Sequence, residues 1–258
     1  MRHQSRSLIA VAFLIAAGAV LTGCTPEPPT RAEAKFALTT VDAAISPGDT
    51  FPANFIFVAE EEDPIWDSVT GVALGDGETF GPGAFEVVRS ESSAGGVVLG
   101  NITLHIPVPA DGVAFDQIEL LLAGETSVVA RVGSWEVELQ DSETVIQPSG
   151  EFVLTYPRCE PVSATFVNVA DSDLLDIAVD IPAAGVDVDF APVASATAGA
   201  PFDLEFDLHC DDTADFWVLS PTVSFDLDGA PREVRTDPVA IGLTAIDETT
   251  IDRIRARP

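Results

Sequence analysis

With 258 residues, 42 acidic side chains against 12 Lys and Arg, and a formal net charge of −30, the chain is strongly acidic. Charge-driven binding to nucleic acid or to anionic lipid headgroups needs clustered Lys and Arg, so no nucleic-acid partner is expected. Hydrophobic residues make up 47%, and the ~225 residues after position 34 suffice for one large domain or two of ordinary size.

Arg2, His3 and Arg6 open the chain without an acidic neighbour, and an apolar run extends from Leu8 to Leu21. That run is shorter than the ~20 residues needed to cross ~30 Å of hydrocarbon, and it suits the apolar part of a secretory signal. Leu21-Thr22-Gly23-Cys24 closes the segment: an aliphatic residue, two small residues and a cysteine. This stretch resembles the lipobox of bacterial lipoproteins. The resemblance covers only the first tenth of the chain, but basic start, apolar length and cysteine position all have to agree for it to arise. It implies cleavage before Cys24, lipid on its thiol, and residence at the cell membrane on the extracytoplasmic side. Arg2 and Arg6 are not adjacent, so there is no twin-arginine signal. Removing them with the signal takes the net charge from −30 to −32.

Residues 24–34 follow as a flexible tether, with Pro26, Pro28 and Pro29 among Glu27, Arg31 and Glu33. Such composition buries too little apolar surface to order itself and holds an extended spacer. From Phe36 onward the apolar residues recur with the period of strands. Phe36–Val41, Asn54–Val58, Ile102–Val108, Trp135–Leu139 and Phe152–Tyr156 carry the pattern in the first half. Ala164–Val169, Asp176–Ile181, Val186–Phe190, Phe202–Leu208 and Val223–Leu227 continue it. Strict alternation buries one face and wets the other, and the wet face is rich in Asp and Glu. Turn signals separate the runs at Gly75-Asp76-Gly77, Gly81-Pro82-Gly83, Gly95-Gly96, Asp111-Gly112 and Asp228-Gly229. Asp116–Leu122 alone reads as a short helix.

Short strands with regular turns predict an all-β chain of antiparallel sandwiches. The expected organisation is a signal peptide at 1–23, the tether at 24–34, and two immunoglobulin-like β-sandwich domains at 35–156 and 157–258. The second holds Cys159 and Cys210, expected to form one disulfide between its two sheets, as suits an exported chain. The only tryptophan of that half, Trp217, follows Cys210, whereas the immunoglobulin pattern places one between the cysteines, so a sandwich is expected and family membership is not.

Chemistry is sparsely marked. His3 leaves with the signal, so a Ser-His-Asp triad would have to use His105 or His209. His105 sits on one face of an alternating strand and His209 is expected to pack beside the Cys210 bridge. Carboxylate pairs for a glycosidase-like reaction are hidden in the acidic background. Calcium tolerates flexible oxygen cages, and Asp211, Asp212 and Asp215 form the best of three weak candidate loops. The others are Glu60–Asp63 and the group Asp171, Asp173 and Asp176; none has the EF-hand spacing. Arg253, Arg255 and Arg257 alternate in the segment 250–258 and predict a basic edge strand. Trp66 and Trp135 are expected in the core. The reading is a non-enzymatic binding or interaction module without a required cofactor, held to the membrane by its N-terminal lipid and directed at an envelope protein or ligand. Its rivals are a carboxylate-based envelope hydrolase and a calcium-stabilised structural module.

Overall fold

A computed structural model describes residues 32–75, 77–124, 126–140, 145–149 and 155–257. Cys24, most of the expected tether, Asp76 and the start of the run at 152–156 lie outside them. The first half holds β1 (Lys35–Phe36), β2 (Thr39–Ile45), β3 (Thr50–Glu60), a one-turn helix α1 (Ile65–Ser68), β4 (Val69–Leu74) and β5 (Glu78–Phe80). β6 (Phe85–Ala94), β7 (Val97–Pro107), β8 (Val113–Leu122) and β9 (Thr126–Leu139) complete it. Beyond them come β10 (Ile146–Pro148), β11 (Thr155–Tyr156), β12 (Val162–Asn168), β13 (Leu174–Asp180), β14 (Val186–Phe190) and β15 (Val193–Ala196). The chain ends with β16 (Pro201–Cys210), β17 (Phe216–Leu219), β18 (Thr222–Leu227), β19 (Ala230–Arg235), β20 (Val239–Ile241) and helix α2 (Glu248–Arg255). The protein is all-β, and no helix among the described residues is long and apolar enough to cross a membrane.

The pleat sorts the side chains. In β16, Phe202, Leu204, Phe206 and Leu208 are buried, while Asp203, Glu205, Asp207 and His209 are exposed. The same rule overturns the helix expected at Asp116–Leu122. Ile118, Leu120 and Leu122 are buried there at every second position, and β8 pairs antiparallel with both β4 and β9. Burial on a sheet outweighs the helix propensity of Glu and Leu in so short a stretch. Asp228 and Gly229 both take positive φ, 54° and 77°, between the paired residues Leu227 and Ala230. That is the backbone a two-residue hairpin needs.

The described strands form four sheets. β1-β3-β7-β6 is one, and β11-β20-β17-β2-β9-β8-β4-β5 is an eight-stranded second. β10-β12-β16-β14 and β15-β13-β18-β19 are the third and fourth. Phe51, Phe55, Phe57, Ile102 and Leu104 of the first sheet meet Val41, Ile118, Leu120 and Trp135 of the second in one core. Phe166, Phe206, Leu174, Ile177 and Phe225 bring the third and fourth sheets together in another. Both are sandwiches, and the eight-stranded sheet serves both. β17 lies beside β2 in parallel register from Phe216↔Thr39 to Leu219↔Asp42, and β2 lies parallel to β9 as well. Trp217 and Leu219 enter the second core, whereas Val218 packs against the first. Position 156 itself is in β11, which pairs with β20 inside this shared sheet, and the described residues make one compact unit.

The segment expected as a basic edge strand is instead helix α2. Asp247 accepts a hydrogen bond from the Thr250 amide at 2.8 Å and caps the first turn. Ile251 and Ile254, three positions apart and therefore on one side of a helix, are both buried. Arg253 and Arg255 fall in the last turn, where the helix dipole favours cations. Alternating arginines hid an i, i+3 apolar pair.

Candidate functional site

Cys159 and Cys210 are bonded to each other, with their Cα atoms 6.0 Å apart. The bridge does not join two sheets, as the sequence suggested. Cys159 lies in the loop ahead of β12 and Cys210 ends β16, and those strands are neighbours in one sheet. The bond therefore ties an entry loop to the strand beside it, and it anchors the start of the acidic loop 211–215.

That loop divides into two chemically distinct parts. Asp211 is exposed and accepts from the Thr213 hydroxyl at 2.5 Å and the Thr213 amide at 2.8 Å. Those bonds, the hydroxyl first, hold its carboxyl below the ordinary aspartate range. Asp212 is also exposed. Asp215 turns the other way: its side chain is fully buried. One oxygen accepts from Arg253 Nε at 2.6 Å. The other accepts from Arg257 Nη2 at 2.7 Å and from the Leu38 amide at 2.8 Å. The Asp215 amide returns a bond to the Leu38 carbonyl at 2.7 Å. A buried carboxylate is tolerated only when paired and hydrogen-bonded, and here the protein itself supplies every partner. The three residues expected to share a calcium ion are thus not brought together, because Asp215 is spent on Arg253 of α2 and on Arg257 just beyond it.

The other acidic loops resolve similarly. Asp63 is buried and accepts from the Glu33 and Ile65 amides, both at 2.8 Å, which ties the segment ahead of β1 to α1. Glu61 pairs with Arg89 at 3.1 Å, and Asp173 accepts from the Ala198 amide at 2.9 Å. Among the described residues, no group of three or more His, Cys, Asp or Glu is placed to hold a metal. His105 is exposed on β7. His209 is exposed too, opposite Asp187 on β14, so it does not pack against the bridge; the pleat sends it outward because Leu208 is the inward residue. Trp135 is buried among Phe51, Phe55 and Phe115. Trp66 is half-buried, its ring tilted at 39° to that of Phe57, with the Arg89 guanidinium 5.1 Å above it.

Sequence reasoning missed two features. One is the charge set at the junction of the sandwiches. Arg235 pairs with Asp42 and, at 3.5 Å, with Glu138, and also donates to the Asp42 carbonyl at 3.0 Å. Beside it opens a cavity of about 270 Å³ whose walls include Gln140, Arg232 and Glu233. The other is the outer face of the third sheet, where Asp189 stands directly opposite Asp207. The alternation showed each strand's wet face, but only strand order shows which acids become neighbours.

No protein-family model and no curated protein matches the chain. Solved structures similar to it include a protein of unknown function from Porphyromonas gingivalis, at 12% identity and a TM-score of 0.28, covering 81% of this chain and 99% of that one. A titin fragment gives 11% identity and a TM-score of 0.24, covering 81% and 97%. Fibronectin(III)-like modules of Clostridium thermocellum CbhA give 11% and 0.21, covering 83% and 93%. TM-scores this low add nothing to the architecture described above and attach no function to it.

Proposed function

We propose that the protein is a lipid-anchored, extracytoplasmic interaction module of the cell envelope, with no catalytic chemistry of its own. The observation that carries this reading is Leu21-Thr22-Gly23-Cys24 at the end of a short apolar run with a basic start. Each buried methylene of attached lipid contributes about 0.8 kcal/mol of anchoring, and more than one chain makes attachment stable. The bonded cysteines suit an oxidising compartment. A two-sandwich body with acidic outer faces suits recognition of a protein or ligand at the cell surface, as an analogy from architecture alone.

The anchor is tested by mass spectrometry of the mature N-terminus and by fractionation of a Cys24→Ala variant. Acylated Cys24 as the first residue, and release or stalled processing of the variant, are the expected results. An intact leader, a different first residue or undiminished membrane retention of the variant would remove the basis of the proposal. The interaction role is tested by cross-linking in intact cells. A partner recovered with wild-type protein and lost with Cys24→Ala supports it, and hydrolysis of an envelope glycan by the purified protein overturns it.

A further inference from the structure

We infer that α2 is a latch that opens independently of the rest of the fold and whose charge pairing centres on one residue, Asp215. The helix packs on the outside of the first sandwich. Ile251 and Ile254 share a buried apolar cluster with Ala37, Ile56, Val58, Val97 and, from β17, Phe216. Ile56 and Val58 alternate along β3 with Phe55 and Phe57, which face the core, so the pleat turns them to the opposite side. This makes α2 a third layer over an apolar strip.

Three observations separate the latch from the body. First, among the described residues the two large cores are complete without it: neither contains a residue beyond Ile241. Second, α2 spans only Glu248–Arg255, too short to be stable on its own in water, so it is helical only while docked. Third, two of its three charged anchors converge. Arg253 and Arg257 both bind Asp215, while Arg255 donates to the Gly95 carbonyl at 2.9 Å. Asp215 stands immediately before β17, the strand shared by both sandwiches, and its second oxygen also holds the Leu38 amide between β1 and β2. A single carboxylate thereby registers the C-terminal helix against both halves. When the helix leaves, both arginines go with it, the Asp215 carboxylate loses its countercharges, and the strip formed by Ile56, Val58 and Val97 is uncovered. Gly242, at φ 87°, turns the chain from β20 towards α2.

Hydrogen exchange read by mass spectrometry on the whole mature protein tests this. In the wild type, amides of residues 248–255 should exchange roughly tenfold or more faster than those of β3, β9 and β16, as a locally opening unit does. Asp215→Asn keeps the size of the side chain and an acceptor for Leu38 while removing the charge. It should speed exchange of α2 by about a further tenfold and leave β3, β9 and β16 unchanged. Arg253→Gln combined with Arg257→Gln should reproduce that pattern from the helix side, and it decides the matter if Asp215→Asn does not fold. Exchange of α2 in step with β3 in the wild type, or equal acceleration of all segments in the variants, would overturn the inference.

Discussion

Asp189 and Asp207 face each other on neighbouring strands, and both are exposed. Like charges directly opposite on a sheet repel, and salt weakens the effect at the surface. Asp207→Asn should therefore raise the unfolding free energy, by a few tenths of a kcal/mol to about 1 kcal/mol in low salt. Repeating the urea titration in 1 M salt, where the Debye length is about 3 Å, should erase the gain. A gain that survives high salt would assign it to packing. The residue scale is also where reading the chain alone reaches its limit. Asp211, Asp212 and Asp215 look alike in sequence. Asp215 differs because Arg253 and Arg257, some forty positions on, return to meet it, and no local pattern reports so distant a pairing. The cysteines were legible as a pair, since two in an oxidising setting allow one intramolecular bridge; which strands they join was not.

The elements tell a similar story in their own terms. Strands with clean alternation, such as Val186–Phe190 and Phe202–Leu208, stand out in the sequence because half-burial leaves a period of two. β2 does not: Thr39–Ile45 reads TTVDAAI and is buried at most positions on both sides, since it is enclosed by β17 and β9 within a covered sheet. A doubly buried strand has no wet face to mark it. The disulfide acts at this scale. It closes a loop of 51 positions, for which chain entropy assigns about 4 kcal/mol. Cys159→Ser with Cys210→Ser should lose up to that amount in a urea titration. The loss should be smaller than the chain-entropy figure if the neighbouring pairing of β12 with β16 persists in the denatured chain. An unchanged midpoint would show that the pairing of β12 with β16 already does the work of the bridge.

At the scale of the molecule, the shared sheet governs cooperativity. β17 contributes Trp217 and Leu219 to one core and pairs with β2 beside the other, and the Asp42–Arg235 pair spans the same seam. Neither sandwich can unfold without stripping a neighbour from the other. Calorimetry should therefore show a single transition with equal calorimetric and van't Hoff enthalpies. Two resolved peaks would mean that the seam couples the halves weakly. All-β class, sandwich architecture and most strand positions follow from alternation and turn chemistry. The fused sheet does not, because it depends on a parallel pairing between segments 177 positions apart, such as Phe216 and Thr39.

That pairing also sets an order of events. A chain that emerges N-terminus first presents Thr39–Ile45 early, yet the neighbour on one side of that strand is not available until residue 219 has followed. Loop closure over such a span is slow relative to local pairing. The earliest large strand must therefore wait, with one flank bare, for almost the whole polypeptide to appear. A truncated product lacking β17 would carry that flank open, ready to recruit the edge of another nascent chain.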